Sequence, residues 1–159
     1  MPRLGADITC TGFTRTLNFN LANSIFGSLT LASGMTVSGT STTTFEGRSS
    51  LTLTSAGVLF QQLIRVGVFG GTLTLQDAFD NKASSGFALD SGTFNTNSQS
   101  IKVRTFTSTG SLTRALTLGT STFELTETSG FTIWSVSGMT FTSAPNSTIK
   151  ITGSTTNIR

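Results

Sequence analysis

The stretch Leu51-Thr52-Leu53-Thr54 is the most informative about the fold, because its apolar–Thr–apolar triplet returns at nearly constant spacing along the chain. Its counterparts, one of them a weaker match, are Leu29-Thr30-Leu31, Leu73-Thr74-Leu75, Phe94-Asn95-Thr96, Leu116-Thr117-Leu118 and Met139-Thr140-Phe141. The first members of successive triplets lie 22, 22, 21, 22 and 23 residues apart. Alternating apolar and polar residues indicate β-strands, and a repeat of this length is typical of solenoids, in which each coil stacks on the one before.

Two further series of apolar residues follow each triplet. The second series contains Met35-Thr36-Val37, Val58-Leu59-Phe60, Phe79, Ile101-Lys102-Val103, Phe123-Glu124-Leu125 and Ile149-Lys150-Ile151. The third contains Phe45, Val66 with Val68, Phe87 with Leu89, and Phe131 with Ile133, and Phe106 and Leu112 are expected to fill the intervening coil. Three short strands in each coil of about 22 residues predict an all-β fold, a three-sided parallel β-helix.

The repeat divides the chain into three parts. Residues 1–27 are predicted to form an N-terminal coil or cap, 28–153 the parallel β-helix, and 154–159 a C-terminal tail or a link to a further coil. The segment 58–69 also fits the spacing of a short helical turn, although its β-branched residues and glycines favour a strand. The alternative for the whole chain is an antiparallel sandwich, and the constant repeat length argues against it.

Composition argues against several classes of partner and against an internal disulfide. Only 11% of the residues are charged, and the basic residues behind the net charge of +3 are scattered, so no nucleic-acid partner is expected. No apolar run reaches the roughly 18 residues that cross a bilayer, so membrane insertion is not expected, and the N-terminus shows no signal peptide. Cys10 is the single cysteine, which excludes an internal disulfide; a small buried residue is the expected role, and an intermolecular bridge is the alternative.

The residue types needed for common catalysis are missing. The chain has no His and no Tyr, which removes Ser-His-Asp and Cys-His nucleophile systems and His-ligated metals, so no catalytic residue, metal or cofactor is predicted. Asp77 and Asp80 lie near a corner with Lys82, and Asp90 follows on the next side. Aspartate is favoured at corners for its own backbone hydrogen bonds. A glycosidase or Ca²⁺-dependent lyase using these carboxylates is the minor alternative.

Three sets of outward side chains are candidates for a ligand or partner surface or for register control. Asp80, Lys102, Glu124 and Lys150 are predicted to stack as an outer column of alternating charge, which specifies register and protects the edge. Thr30, Thr52, Thr74, Thr117 and Thr140 are predicted to form a flat outer array, which is similar to the ice-binding faces of antifreeze solenoids. Trp134, the only tryptophan, is expected to face outward if Phe131 and Ile133 face inward, and could then bind a sugar or anchor an interface. The alternative is that it covers a coil corner.

The last third of the chain carries a family resemblance. Leu116 to Phe123, Trp134 to Phe141 and Ser147 to Thr152 resemble repeats in virion and tail proteins of tailed bacteriophages and in bacterial surface adhesins. The resemblance covers roughly residues 72–153 and its motifs are common to Thr-rich solenoids. It implies a structural or adhesive, non-enzymatic role in a tail appendage or surface fibre, at the virion or extracellular surface. Open coil ends imply a homo-oligomer or end-to-end assembly with further solenoid segments, and the role implies a glycan or cell-surface receptor.

Overall fold

The computed structural model describes residues 3–4, 6–81, 85–153 and 158–159, which form a β-solenoid of parallel strands without a helix. The chain runs repeatedly over three sides, here named first, second and third. The first side contains β2 (Ile8–Thr9), β5 (Leu29–Thr30), β8 (Ser50–Thr54), β14 (Arg114–Thr117) and β17 (Thr140–Thr142). The second contains β3 (Thr16–Asn18), β6 (Thr36–Ser38), β10 (Phe79–Asp80), β12 (Ile101–Val103), β15 (Thr122–Leu125) and β18 (Thr148–Ile151). The third contains β1 (Arg3–Leu4), β4 (Asn23–Ile25), β7 (Thr43–Gly47), β13 (Phe106–Thr109) and β16 (Trp134–Ser137).

Two long strands join the third side to the first. β9 (Ile64–Leu75) and β11 (Phe87–Asn95) continue across the corner between these sides, so both sides belong to one 12-stranded sheet. Every pair of neighbouring strands among the described residues is parallel, from Leu51 opposite Leu73 to Phe123 opposite Ile149. The prediction of a three-sided parallel β-helix with about 22 residues per coil is confirmed.

The interior is a column of aromatic and aliphatic side chains. Seven phenylalanines are fully buried: Phe45, Phe60, Phe79, Phe87, Phe94, Phe106 and Phe123. Phenylalanine rings contact one another between coils, with a centroid distance of 5.0 Å for Phe60–Phe79, and within a coil, with 4.6 Å for Phe87–Phe94 of β11. Side chains alternate along a strand, so the apolar members of each triplet enter this column and the middle member points outward.

The register differs from the predicted spacing at two places. Leu29 pairs with Leu53 instead of Leu51, and Leu116 pairs with Phe141 instead of Met139. The corners between these strands are longer than the repeat allows, and the strands slide by two residues to compensate. A slide of two keeps every inward residue inward, since side chains alternate with period two.

The second side is interrupted at residues 58–60, which were expected to form a strand. These residues form neither strand nor helix, and the second side is divided into the pair β3–β6 and the four-stranded sheet β10–β12–β15–β18. The buried Gln62 replaces part of the missing ladder, since its Nε2 donates to the carbonyl oxygens of Ser38 (3.1 Å) and Gly39 (2.6 Å). The strand expected in 58–69 therefore begins only at Ile64.

The third side also departs from expectation in its last coil. Phe106 occupies the inward position opposite Phe87, as predicted, but Leu112 lies in an exposed corner. Phe131 was expected to face inward and is 61% exposed. The loop 126–133 is longer than the corresponding corner of the preceding coil, and it carries Phe131 out of the ladder, so that Trp134 pairs with Phe106 instead.

The two ends of the solenoid take part in the same ladder. Within 1–27, β1 to β4 each pair in parallel with a strand of the following coil. Within the predicted tail 154–159, residues 154–157 lie outside the described residues, whereas Ile158 forms a parallel bridge with Trp134.

Candidate functional site

Threonine side chains cover the outer surface of the first side in two columns, named here the threonine array. One column contains Ser50, Thr72, Thr93, Ala115 and Thr140, and the other contains Thr52, Thr74, Asn95, Thr117 and Thr142. Neighbours in a column are about 4.8 Å apart, and the columns are about 6.6 Å apart, because they are separated by two strand residues. Thr30 pairs with Thr54 and Thr140 with Ala115, so the predicted single column of Thr30, Thr52, Thr74, Thr117 and Thr140 is divided by the register.

A column of alternating charge lies on the second side where the sequence predicted it. Strand register places Asp80 opposite Lys102, Lys102 opposite Glu124, and Glu124 opposite Lys150. Lys150 Nζ lies 3.9 Å from Glu124 Oε2, and both side chains contact solvent. Exposed pairs of this kind contribute about 0–1 kcal/mol. The contribution of the column to stability is therefore small, and its role in specifying the register stays a prediction.

Trp134 does not face outward, and that expectation is wrong. Its ring packs against the hydrophobic core, 4.7 Å from the ring of Phe106 and 5.7 Å from that of Phe123 between centroids. The lengthened loop 126–133 shifts the strand so that Trp134 takes the inward position. The tryptophan is therefore part of the interior aromatic column rather than a stacking platform on the outer surface.

A groove on the third side is lined by four charged and two aromatic residues, and it is named here the third-side groove. It has a volume of about 620 Å³, and its lining residues are Phe26, Thr44, Glu46, Gly47, Arg48, Arg65, Gly67, Phe69 and Asp90. Strand register places Thr44 beside Arg65 and Glu46 beside Gly67. Glycine at position 67 leaves the floor of the groove open between these side chains.

Two contacts organise the third-side groove. Arg65 binds Asp90 through two hydrogen bonds, from Nε to Oδ2 (2.7 Å) and from Nη2 to Oδ1 (2.8 Å), while 43% and 35% of the two side chains remain exposed. The Arg48 guanidinium lies over the ring of Phe69, 5.7 Å from its centroid. Phe69 is 54% exposed although it is a large apolar residue. The groove thus presents a bidentate ion pair and an aromatic surface to solvent.

A second ion pair lies at the corner between the second and third sides, and it differs from the first in having a fully buried carboxylate. Glu127 is fully buried, and its Oε2 accepts a hydrogen bond from Arg104 Nε at 2.5 Å. Arg104 also lies over the exposed ring of Phe131, 5.1 Å from its centroid. Burial raises the pKa of Glu127, but hydrogen bonds from Arg104 and from the backbone of Ser129 and Thr128 bring that pKa below its ordinary value. This buried pair holds the loop 126–133 on the solenoid.

The carboxylates considered for catalysis have structural partners on separate parts of the surface. Asp77 accepts hydrogen bonds from the backbone N–H groups of Ser55 (2.8 Å) and Ala56 (2.6 Å), which belong to the preceding coil rather than to its own corner as the sequence predicted. Asp80 points outward in the charge column, and Asp90 pairs with Arg65 on the third side. Lys82 lies outside the described residues. The strand order therefore does not bring Asp77, Asp80 and Asp90 into one groove.

Within residues 3–4, 6–81, 85–153 and 158–159, no three His, Cys, Asp or Glu side chains are placed to hold a metal ion together. The part of the chain that the structure describes also contains no helix with the length and apolarity to cross a membrane.

Sequence reasoning missed the third-side groove. Glu46, Arg65, Phe69 and Asp90 come from three different coils, and their separations do not repeat the 22-residue period cleanly. The signal available in the sequence was Phe69, an aromatic residue at an outward position of an otherwise alternating strand. Its exposure marks a position where the rule that aromatic residues enter the core is broken.

Comparison with known proteins does not assign the chain to a family. No protein-family model, no curated protein and no solved structure matches it. The function must therefore be argued from the solenoid and its surfaces.

Proposed function

We propose that this chain is a non-enzymatic structural or adhesive β-solenoid, a rod segment of a bacteriophage tail appendage or of a surface fibre. The main support is the last coil, where the interior column reaches the end of the described ladder. Phe141, Ile149 and Ile151 occupy inward positions there, and each is 40–45% exposed. A further parallel coil stacked on this end would bury them, as each coil buries the side chains of the one before.

The proposed mechanism is mechanical. A closed stack of parallel strands with interlocked Phe rings resists bending, because bending breaks ladder hydrogen bonds and core contacts at the same time. Such a rod spaces its ends and presents its three sides outward. Copies of the chain, or other solenoid segments, stacked end to end would lengthen the rod, and a side groove would contact a glycan or cell-surface receptor.

Small-angle scattering across a concentration series tests the assembly. We expect the particles to lengthen along one axis with concentration while their cross-section stays constant. Growth of the cross-section, or a monomer at every concentration, would contradict end-to-end stacking.

Immunogold labelling tests the proposed location. In a culture that produces this protein, the label should decorate intact virions or cell surfaces. Label found only in the cell interior would contradict the proposed location.

The threonine array supports a second candidate function, ice binding. Two in-register columns extend over five coils and carry seven threonines among ten positions. Hydroxyl and methyl groups repeated in two dimensions can order water. The measurement is thermal hysteresis and inhibition of ice recrystallisation, with Thr74→Lys at the centre of the array and Thr107→Lys on the third side as the control. We expect activity that only Thr74→Lys abolishes, and an inactive wild type would eliminate this function.

A further inference from the structure

We propose that the third-side groove binds a neutral oligosaccharide, an inference that rests on the proposed adhesive function and names its ligand class. The exposed ring of Phe69 offers a flat apolar surface, and such a ring packs against the C–H face of a sugar. The Arg65–Asp90 pair offers a guanidinium and a carboxylate in one plane. Sugar hydroxyls both donate and accept, so they can bind both groups at once.

The ion pair retains capacity for a ligand. A guanidinium carries five N–H donors, and the contact with Asp90 uses two of those of Arg65. An ionised carboxylate accepts at about four lone-pair positions, which leaves room for further hydrogen bonds at Asp90. Because each member holds the other in this bidentate geometry, part of the side-chain entropy is already lost before a ligand binds.

The charge of the groove indicates a neutral ligand rather than an anionic one. Arg48 and Arg65 contribute two positive groups, and Glu46 and Asp90 contribute two negative groups. The balance neither concentrates polyanions nor repels them, so long-range attraction contributes little and recognition depends on short-range contacts. A sulfated or sialylated glycan would gain from the arginines but would meet both carboxylates.

The shape of the groove fits a chain of sugar rings. Its lining runs from Phe26 in one coil, through Glu46 and Gly67, to Asp90 three coils further on. Coils are about 4.8 Å apart, so the groove extends roughly 14 Å along the solenoid. This length suits an oligosaccharide better than a single ring.

An array of defined neutral, sialylated and sulfated oligosaccharides tests the proposal, followed by calorimetry on the glycans that bind. We expect wild-type protein to bind one or more neutral oligosaccharides with little dependence on salt. Phe69→Ala removes the aromatic surface and should weaken binding about tenfold, the loss of one stacking contact. Leu112→Ala is the matched control, because it removes a similarly exposed apolar side chain from a corner outside the groove.

A groove-filling variant gives a second measurement that does not depend on Phe69. A Cβ at Gly67 would meet its nearest neighbours at 3.7–3.9 Å, an ordinary contact distance, so Gly67→Leu should fold and obstruct the groove. Ala115→Leu adds similar bulk, one carbon less, to the first side and should leave binding unchanged. Binding of anionic glycans alone, no binding, or binding that survives both groove variants would overturn the proposal. If the protein stacks end to end but binds no sugar, only the proposed glycan site is overturned. If it binds sugar but does not stack, only the proposed assembly is overturned.

Discussion

Gly92 shows how close the backbone of one coil lies to the next. Its φ is +78°, and a Cβ at this position would collide with the carbonyl oxygen of Val68. Gly70 has a similar φ of +71° but has no atom within 4 Å of where its Cβ would lie. The two glycines therefore separate the effect of backbone conformation from that of steric contact.

We expect Gly92→Ala to destabilise the fold more than Gly70→Ala. The left-handed backbone should cost either alanine about 1–2 kcal/mol, and only Gly92→Ala adds the collision with the neighbouring coil. Urea unfolding of both variants measures the difference. Equal losses would show that the coils can separate locally at no cost.

The depressed pKa of Glu127 predicts a pH-dependent stability. Arg104 and backbone N–H groups hold the carboxylate in its ionised form, so its pKa is lower in the folded chain than in the unfolded one. The resulting stabilisation is complete above the unfolded pKa of about 4.3 and is lost as the pH falls through the lower folded pKa.

Glu127→Gln should lower the free energy of unfolding by about 1.5–3 kcal/mol at neutral pH, the range for hydrogen bonds to charged groups. The difference from wild type should shrink in acid, and urea unfolding at several pH values measures it. Glu124→Gln is the control, since its exposed pair with Lys150 contributes about 0–1 kcal/mol. A loss at Glu127 that does not change with pH would contradict the electrostatic origin.

At the scale of elements, Arg114 connects the corner after β13 to the end of β16. It is almost fully buried, and its guanidinium donates to the carbonyl oxygens of Leu112 (3.0 Å), Gly110 (2.6 Å) and Ser137 (2.7 Å). The planar group satisfies three backbone acceptors from two corners at once. Lysine cannot reproduce this fork of donors.

Both Arg114→Met and Arg114→Lys are therefore expected to destabilise the last coils. Each lost hydrogen bond from the charged guanidinium to a partly buried carbonyl costs about 1.5–3 kcal/mol, so a loss of several kcal/mol is expected for Met and a smaller one for Lys. Hydrogen exchange should show the loss first in β14, β16 and β17. A loss spread evenly over all coils would contradict a local role for Arg114.

At the scale of the whole molecule, the apolar side chains of the last coil predict self-association. Phe141 is 45% exposed and lies at the end of the interior column, whereas Phe131 is more exposed but lies on a side loop. Light scattering should show association that Phe141→Gln weakens and Phe131→Gln leaves unchanged. If Phe131→Gln had the larger effect, the chains would associate through their sides, and the rod model would fail.

Features that follow a regular repeat in the sequence could be predicted, whereas features set by register or loop length could not. The 22-residue repeat and the alternation of Leu and Thr predicted the parallel coils, the buried Phe column and the stacked Asp80, Lys102, Glu124 and Lys150. The pairing of Leu29 with Leu53 was not predictable, since a slide by two residues leaves the inward and outward pattern unchanged. The orientation of Trp134 was not predictable either, because it depends on the length of one loop.

The repeat in the amino-acid sequence was sufficient to specify the class of fold, because each coil has the same local pattern and can bury its apolar side only by stacking on the next. Which side chains meet across coils became known from the three-dimensional fold, since those distances depend on corner lengths and register. The groove that joins Arg65, Phe69 and Asp90 belongs to this second category. Its residues are distant in sequence, and three-dimensional stacking alone makes them neighbours.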